Sequence, residues 1–117
     1  EHTIANEGEF LLELAEGDRG VAKKIAEEIK TEIPLVTEKL WKHLVTDDPR
    51  ELDHLLHYLV STVSPLGVDT VVMRKIEYMR KLQQENSSEP RAMLIQELIE
   101  ELDELGSHLA TISQALN

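Results

Sequence analysis

Apolar residues recur at helical spacing in five separate stretches of this chain, and nowhere at strand spacing. The clearest stretch is Leu52, Leu55, Leu56, Leu59, Val63 and Leu66, at i, i+3, i+4, i+7, i+11 and i+14. At about 100° per residue these positions fall on one face of a helix. There is no sustained period-two alternation and no Asn-Gly hairpin turn. The spacing predicts a short helix over 6–15 and longer ones over about 18–45, 49–66, 69–85 and 89–116. Phe10, Leu11, Leu14 and Ala15 are the expected inner face of the first. Val21, Ala22, Ile25, Ile29, Ile33, Val36, Leu40 and Leu44 are that of the second. The fourth turns Val72, Met73, Ile76, Met79 and Leu82 inward, and the fifth runs from Met93 and Leu94 through Leu98, Leu102, Leu105, Leu109 and Ile112 to Leu116.

The punctuation agrees with this division. Gly17 ends the first helix and Asp18 caps the second. Pro34 removes one backbone donor inside the second helix, but the stripe keeps its phase across it, so a kink is expected and not a break. Asp48 caps the third helix with Pro49 at its first position, and Pro65 and Gly67 close it. Asp69 is the expected cap of the fourth. The polar run Glu85 to Glu89 forms a loop, and Ser88 or Glu89 starts the last helix with Pro90 in its first turn. Short loops between long amphipathic helices make antiparallel neighbours. The expected fold is all-α: an up-down-up-down four-helix bundle with a short N-terminal helix laid across one end.

Composition narrows the possible functions. A chain of 117 residues suits one domain and can bury a core without cross-links. It has no cysteine, which removes disulfides, thiolate metal sites and cysteine nucleophiles. No apolar run approaches the ~18 residues of a membrane span, and no basic stretch precedes an apolar one as in a signal peptide. A chain that begins at Glu1 is expected to be a domain cut from a larger protein. Twelve Lys and Arg stand against 23 Asp and Glu, a formal charge of −11, which argues against a nucleic-acid partner. With one Trp, one Phe and two Tyr, the core must be built from Leu, Ile, Val and Met.

One polar residue stands out inside the clearest stripe. His57 lies two positions from Leu59, about 160° around the helix, so it faces away from the core. His54 also faces outward one turn earlier. Asp53, Val60 and Ser61 are one turn from His57, and Arg50 and Ser64 are two. Three chemistries compete for it. His54 and His57 with Asp53 have spacing that can hold a metal, although no His-Glu-x-x-His or Glu-x-x-His motif is present. His57 as a general base lacks an activated serine or a glycine-rich phosphate loop beside it. As a nucleophile, a neutral imidazole carries the lone pair that attack on phosphorus requires.

In this chain His57-Tyr58-Leu59-Val60-Ser61-Thr62 is followed by Leu66-Gly67. Upstream, Leu11-Leu12-Glu13-Leu14-Ala15-Glu16-Gly17-Asp18 precedes a long helix with Pro34 in its middle, and Asp47-Asp48 precedes the histidine helix. This ordered set resembles the histidine phosphotransfer (HPt) domains of multistep two-component phosphorelays. Their signature runs histidine, any residue, Leu, Lys, Gly, Ser, then Leu-Gly. His57, Leu59, Leu66 and Gly67 match it, and Thr62 is close to the serine. Val60 stands in place of the lysine and Ser61 in place of the glycine. The resemblance covers roughly residues 7–83 by motif, and the last helix by architecture only.

The resemblance implies a four-helix bundle in which His57 accepts a phosphoryl group from a receiver-domain aspartate and passes it on, without kinase activity of its own. It implies receiver domains as partners, covalent linkage to a hybrid sensor kinase and a cytoplasmic location. It implies no membrane contact by this domain and no metal or cofactor of its own, the receiver supplying Mg²⁺. On the same footing Asp53 and His54 would orient the imidazole, and Ser61 and Ser64 would hydrogen-bond phosphate oxygens. Arg74 or Lys75 on the next helix would stand in for the cation that Val60 lacks. The rival expectation is a helical adaptor that docks a receiver without transfer.

Overall fold

The computed structural model describes residues 2–46, 48–67, 70–85 and 91–116, with the side chains of 2–7 left aside. It contains five α-helices: α1 His2–Leu14, α2 Arg19–Lys42, α3 Pro49–Val63, α4 Val71–Gln84 and α5 Arg91–Ala115. A 3₁₀ turn, Ser64–Leu66, follows α3. Helices α2 to α5 form an up-down-up-down bundle in which α2 packs on α3 and α5, and α4 closes the ring between α3 and α5. α1 lies over one end against α2, the 3₁₀ turn and α5. The molecule measures 44 × 23 × 23 Å. The expected all-α bundle is what the chain forms.

Local sequence accounts for the helix starts. Asp18 accepts from the Val21 N–H at 3.1 Å, and Asp48 accepts from the Glu51 N–H at 3.2 Å with Pro49 following it. Both expected caps are therefore in place, each satisfying a backbone donor that the first turn leaves open. The cap of α4 is Thr70, not Asp69, which lies outside the described residues. The Thr70 hydroxyl accepts from the Met73 N–H at 3.1 Å, and Thr70 is buried. A hydroxyl fills a buried cap without the desolvation cost of a carboxylate. The start of α5, expected near Ser88 to Pro90, also falls outside the described residues.

Helix α2 continues unbroken through Pro34, which is exposed, and ends at Lys42, three residues before the expected Val45. Its last turn tightens: the His43, Leu44 and Val45 N–H groups reach back only three residues, at 3.0, 3.1 and 3.1 Å. Such i→i+3 bonds use up carbonyls at a helix end that have no α-helical partner.

Leu11, Ala22, Ala26, Leu40, Leu56, Leu59, Val63, Ile76, Leu98, Leu102 and Leu109 are completely buried. The expected stripes hold in the middle of the bundle and fail at its ends. Phe10, Leu14, Val21 and Met93, all expected inward, are exposed. α1 crosses the bundle end and so buries a narrower strip, in which Leu11 is fully enclosed. Val21 and Met93 sit in the first turns of α2 and α5, and the deeper apolar positions are Ala22, Ala26, Ile95 and Ile99. Two tethers fix α2 against α5 as antiparallel neighbours. The Arg19 guanidinium donates to the Ala115 carbonyl at 2.6 Å, and the Ser113 hydroxyl donates to Glu27 Oε2 at 2.9 Å.

Gly67 closes the 3₁₀ turn with φ 108° and ψ 156°, a conformation essentially confined to glycine. It is buried beneath the Phe10 ring, which a Cβ on Gly67 would meet at 3.8 Å. Gly67→Ala should therefore destabilise the fold by about 1–3 kcal/mol through backbone strain, not through a clash. Gly106 is the control. It is helical, a Cβ there would meet nothing within 4 Å, and Gly106→Ala should stabilise by about 0.5–1 kcal/mol. Urea denaturation of both variants checks the opposite signs.

Candidate functional site

The third helix positions the candidate residues. Leu52, Leu56, Leu59 and Val63 are buried to 2, 0, 0 and 0 % exposure, which fixes the rotation of α3 about its axis. That rotation turns His54, His57, Ser61 and Ser64 to the outside, and all four are exposed. His57 is near the middle of the helix, well clear of both caps. Ser61, one turn on, leaves space beside the ring that a larger side chain would fill. Asp53 and Val60 are half-buried, and Val60 packs against the core. The position at which the HPt signature carries a cation is thus occupied here by an apolar side chain that packs against the core.

The hydroxyls after His57 are turned back onto the helix. Ser64 donates to the Ser61 carbonyl at 3.1 Å, and Thr62 donates to the Tyr58 carbonyl at 3.0 Å. Ser64 therefore has its proton committed to the backbone, whereas Ser61 is exposed at the place nearest to His57. Among the described residues, no three His, Asp or Glu side chains come together in a group able to hold a metal ion. No helix of the described residues is long and apolar enough to cross a membrane.

Arg74 and Lys75 are not brought to His57. Both line a groove between α4 and α5, where Lys75 pairs with Glu97 at 3.4 Å. Two lysines that the sequence did not mark also stand beside the histidine row. Lys39 and Lys42, at the end of α2, line a groove of about 570 Å³ with His43, His54, Leu55 and Tyr58. They flank His54, while His57 is on the other flank of the outward row. Each helix shows its own phase in the sequence, but which flank of α2 meets which flank of α3 depends on the pairing of the two. No one-helix signal carries that information.

Tyr58 ties the same two helices. Its hydroxyl donates to Glu32 Oε1 across the α2–α3 seam. This hydrogen bond, with partial desolvation and the Glu32 charge adding to it, raises the Tyr58 pKa above the ordinary 10.0. Tyr58 directly follows His57 in sequence and holds α3 to α2 beside the histidine row.

Comparison with models of known protein families, with curated protein sequences and with solved structures finds no match in any of the three. The chain is an all-helical bundle consistent with the general HPt form and with a docking or interaction module.

The Tyr58 tie has a measurable signature. Folding holds the phenolic proton more tightly than the unfolded chain does. Stability from this contact is therefore present below pH 10.0 and is lost as pH rises through the raised folded value. Phenolate absorbance, taken as wild type minus Tyr58→Phe, should titrate above 10.0 and move back towards it in Glu32→Gln. A Tyr58 transition that Glu32→Gln leaves in place would mean that the tie does not form in solution.

Proposed function

We propose that this chain is a histidine phosphotransfer domain and that His57 is its phosphoacceptor. The observation that carries the reading is the setting of His57. It is an exposed imidazole at mid-helix on the outer row of a four-helix bundle, over a fully buried Leu56 and Leu59, with a serine one turn away. A partner's acyl phosphate must approach to about 3–3.5 Å of the ring nitrogen, and small neighbours on an outward helix face permit that approach.

In the proposed step a ring nitrogen of His57 attacks the phosphorus of a receiver's aspartyl phosphate, in line with the leaving oxygen, through a loose transition state. The N–P bond forms as the acyl O–P bond breaks. The aspartate leaves as a carboxylate, and the ring, made cationic by the attack of a neutral imidazole, releases the N–H proton of its other nitrogen to water. Transfer to a second receiver runs the same exchange in the opposite sense. Ser61 can donate to a phosphoryl oxygen, and Asp53 flanks the ring on the side of Val60. The bundle supplies the nucleophile and the surface, and the receivers supply Mg²⁺.

A second reading keeps the docking and drops the transfer. Val60 favours it, because an apolar side chain stands where the resembling family places a cation beside the phosphoryl group. One series separates the two. Incubation with phosphorylated receiver domains should label the wild type with acid-labile phosphate. His57→Gln should abolish the label, and His54→Gln should leave most of it. Val60→Lys should raise the transfer rate or the phosphohistidine lifetime about tenfold, as a charge-assisted contact of ~1.5–3 kcal/mol allows. Labelling lost with His54→Gln and kept with His57→Gln would move the site one turn. A wild type that binds receivers and takes no label is the adaptor.

A further inference from the structure

The groove between α4 and α5 lies apart from the histidine row and has a different character. It encloses about 350 Å³ and is lined by Val71, Arg74, Lys75, Tyr78 and Leu94, with Glu97 at its α5 edge. Val71, Lys75, Tyr78 and Leu82 follow at i, i+4, i+7 and i+11, one row along α4 about 16 Å long. Large apolar surface is open along it: Val71 is 42 % exposed, Tyr78 45 %, and Met93, one turn before Glu97 on the same flank of α5, 60 %. Exposed apolar groups gathered along a groove with a polar rim mark a binding surface, whereas the same groups scattered singly would not.

The α4 side of the rim is basic in an acidic protein. α4 carries Arg74, Lys75, Arg80 and Lys81 against one carboxylate, Glu77, although the chain as a whole has a formal charge of −11. Arg74 and Lys81, one heptad apart, run along the outer edge of α4 beside the groove row. α5, the other wall, carries five carboxylates against Arg91. The Lys75–Glu97 pair spans the groove between two partly solvated side chains, where such a pair adds little stability and can exchange partners.

We propose that this groove docks an acidic amphipathic segment of a partner protein, its apolar side chains on Val71, Tyr78 and Leu94 and its carboxylates on the cations of α4. Charge complementarity selects this occupant. A second copy would bring its own formal charge of −11, a whole-chain repulsion that a short segment does not carry. An anionic lipid surface or a nucleic acid would meet the same α4, but also the repulsion of the whole chain. A short acidic segment laid along the α4 edge meets the field of α4 at close range and, beyond the carboxylates of α5, little of the rest. The inference does not rest on phosphotransfer, since no candidate phosphoacceptor lines this groove.

The test uses a fluorescein-labelled helical peptide of about 14 residues, close to the length of the row at ~1.5 Å per residue. It carries Leu at i, i+3, i+7 and i+10 and Glu between them. Anisotropy titration with the full chain should give saturable binding that weakens with added salt. Tyr78→Glu and Arg74→Glu should each lower affinity about tenfold or more, as expected of a groove anchor and its rim charge. His57→Gln should bind like wild type, and a peptide with Lys in place of Glu should not bind. Amide shifts in the wild type should centre on 71–78 and 93–97. Circular dichroism of Tyr78→Glu, at an exposed position, verifies that loss of binding is not loss of fold. Absent binding, binding untouched by Tyr78→Glu, or equal binding of the lysine peptide would overturn the proposal. Tyr78-dependent dimers in sedimentation would give the groove to a second copy. Tyr78-dependent binding to phosphatidylserine vesicles, without peptide binding, would give it to a lipid surface.

Discussion

The rotation of α3 about its own axis is the constraint on which the site depends. Leu52, Leu56, Leu59 and Val63 are all but sealed from solvent, and each such side chain contributes roughly 1.5–3 kcal/mol when taken out of water. Turning α3 far enough to bury His57 would bring these groups to the surface together. The imidazole is thus exposed because four apolar neighbours are not, and no contact of its own is needed to hold it outward. The caps set the helix in register along its axis. Asp48 fixes the start one turn ahead of Leu52, and Gly67 allows the sharp exit that brings α4 back alongside.

The rest of the bundle keeps that helix in place. α2 and α5 make the most extensive contact in the molecule, tied near one end by Arg19 to Ala115 and by Glu27 to Ser113. α1 lies on that same end and covers Gly67 with the Phe10 ring. The Tyr58–Glu32 tie then joins α3 to α2 at mid-height, on the flank opposite to Asp53 and Val60. His57 therefore sits between a fixed seam with α2 and the contact with α4, while its own face is clear.

What the sequence disclosed follows from how local each determinant is. The caps at Asp18 and Asp48 depend on residues three apart, and the stripe of α3 on one helix, so both could be read directly. Val21 and Met93 are errors of phase: each lies roughly 100° or more around its helix from the buried row, whereas Ala22 and Ile95 just beyond them are buried. The other errors lie where another element decides. Thr70 displaced Asp69 as a cap because the position is buried, which depends on the docking of α4. Lys39 and Lys42 beside His54, Glu32 beneath Tyr58, and Arg74 and Lys75 in the α4–α5 groove all depend on which flanks meet across a seam. The outward facing of His57 was legible for the converse reason: it follows from one helix alone.

Position 60 shows how packing and charge compete at such a surface. It lies on the shoulder of α3, about 100° from Leu59, where a side chain is half in the core and half beside His57. A lysine there can lay its methylenes along the core and present its ammonium at the surface, close to an incoming anion. A valine fills the same shoulder with a stiffer, wholly apolar group and brings no charge. The flank of His57 then contains Asp53 and no cation on α3 nearer than Arg50, while the lysines of α2 stand on the far flank with His54. Any anion that approaches His57 must bring its own neutralising charge, or draw it from the molecule that delivers it. If His57 accepts a phosphoryl group as proposed, the packing at this one shoulder position shifts the electrostatic part of that chemistry onto the partner.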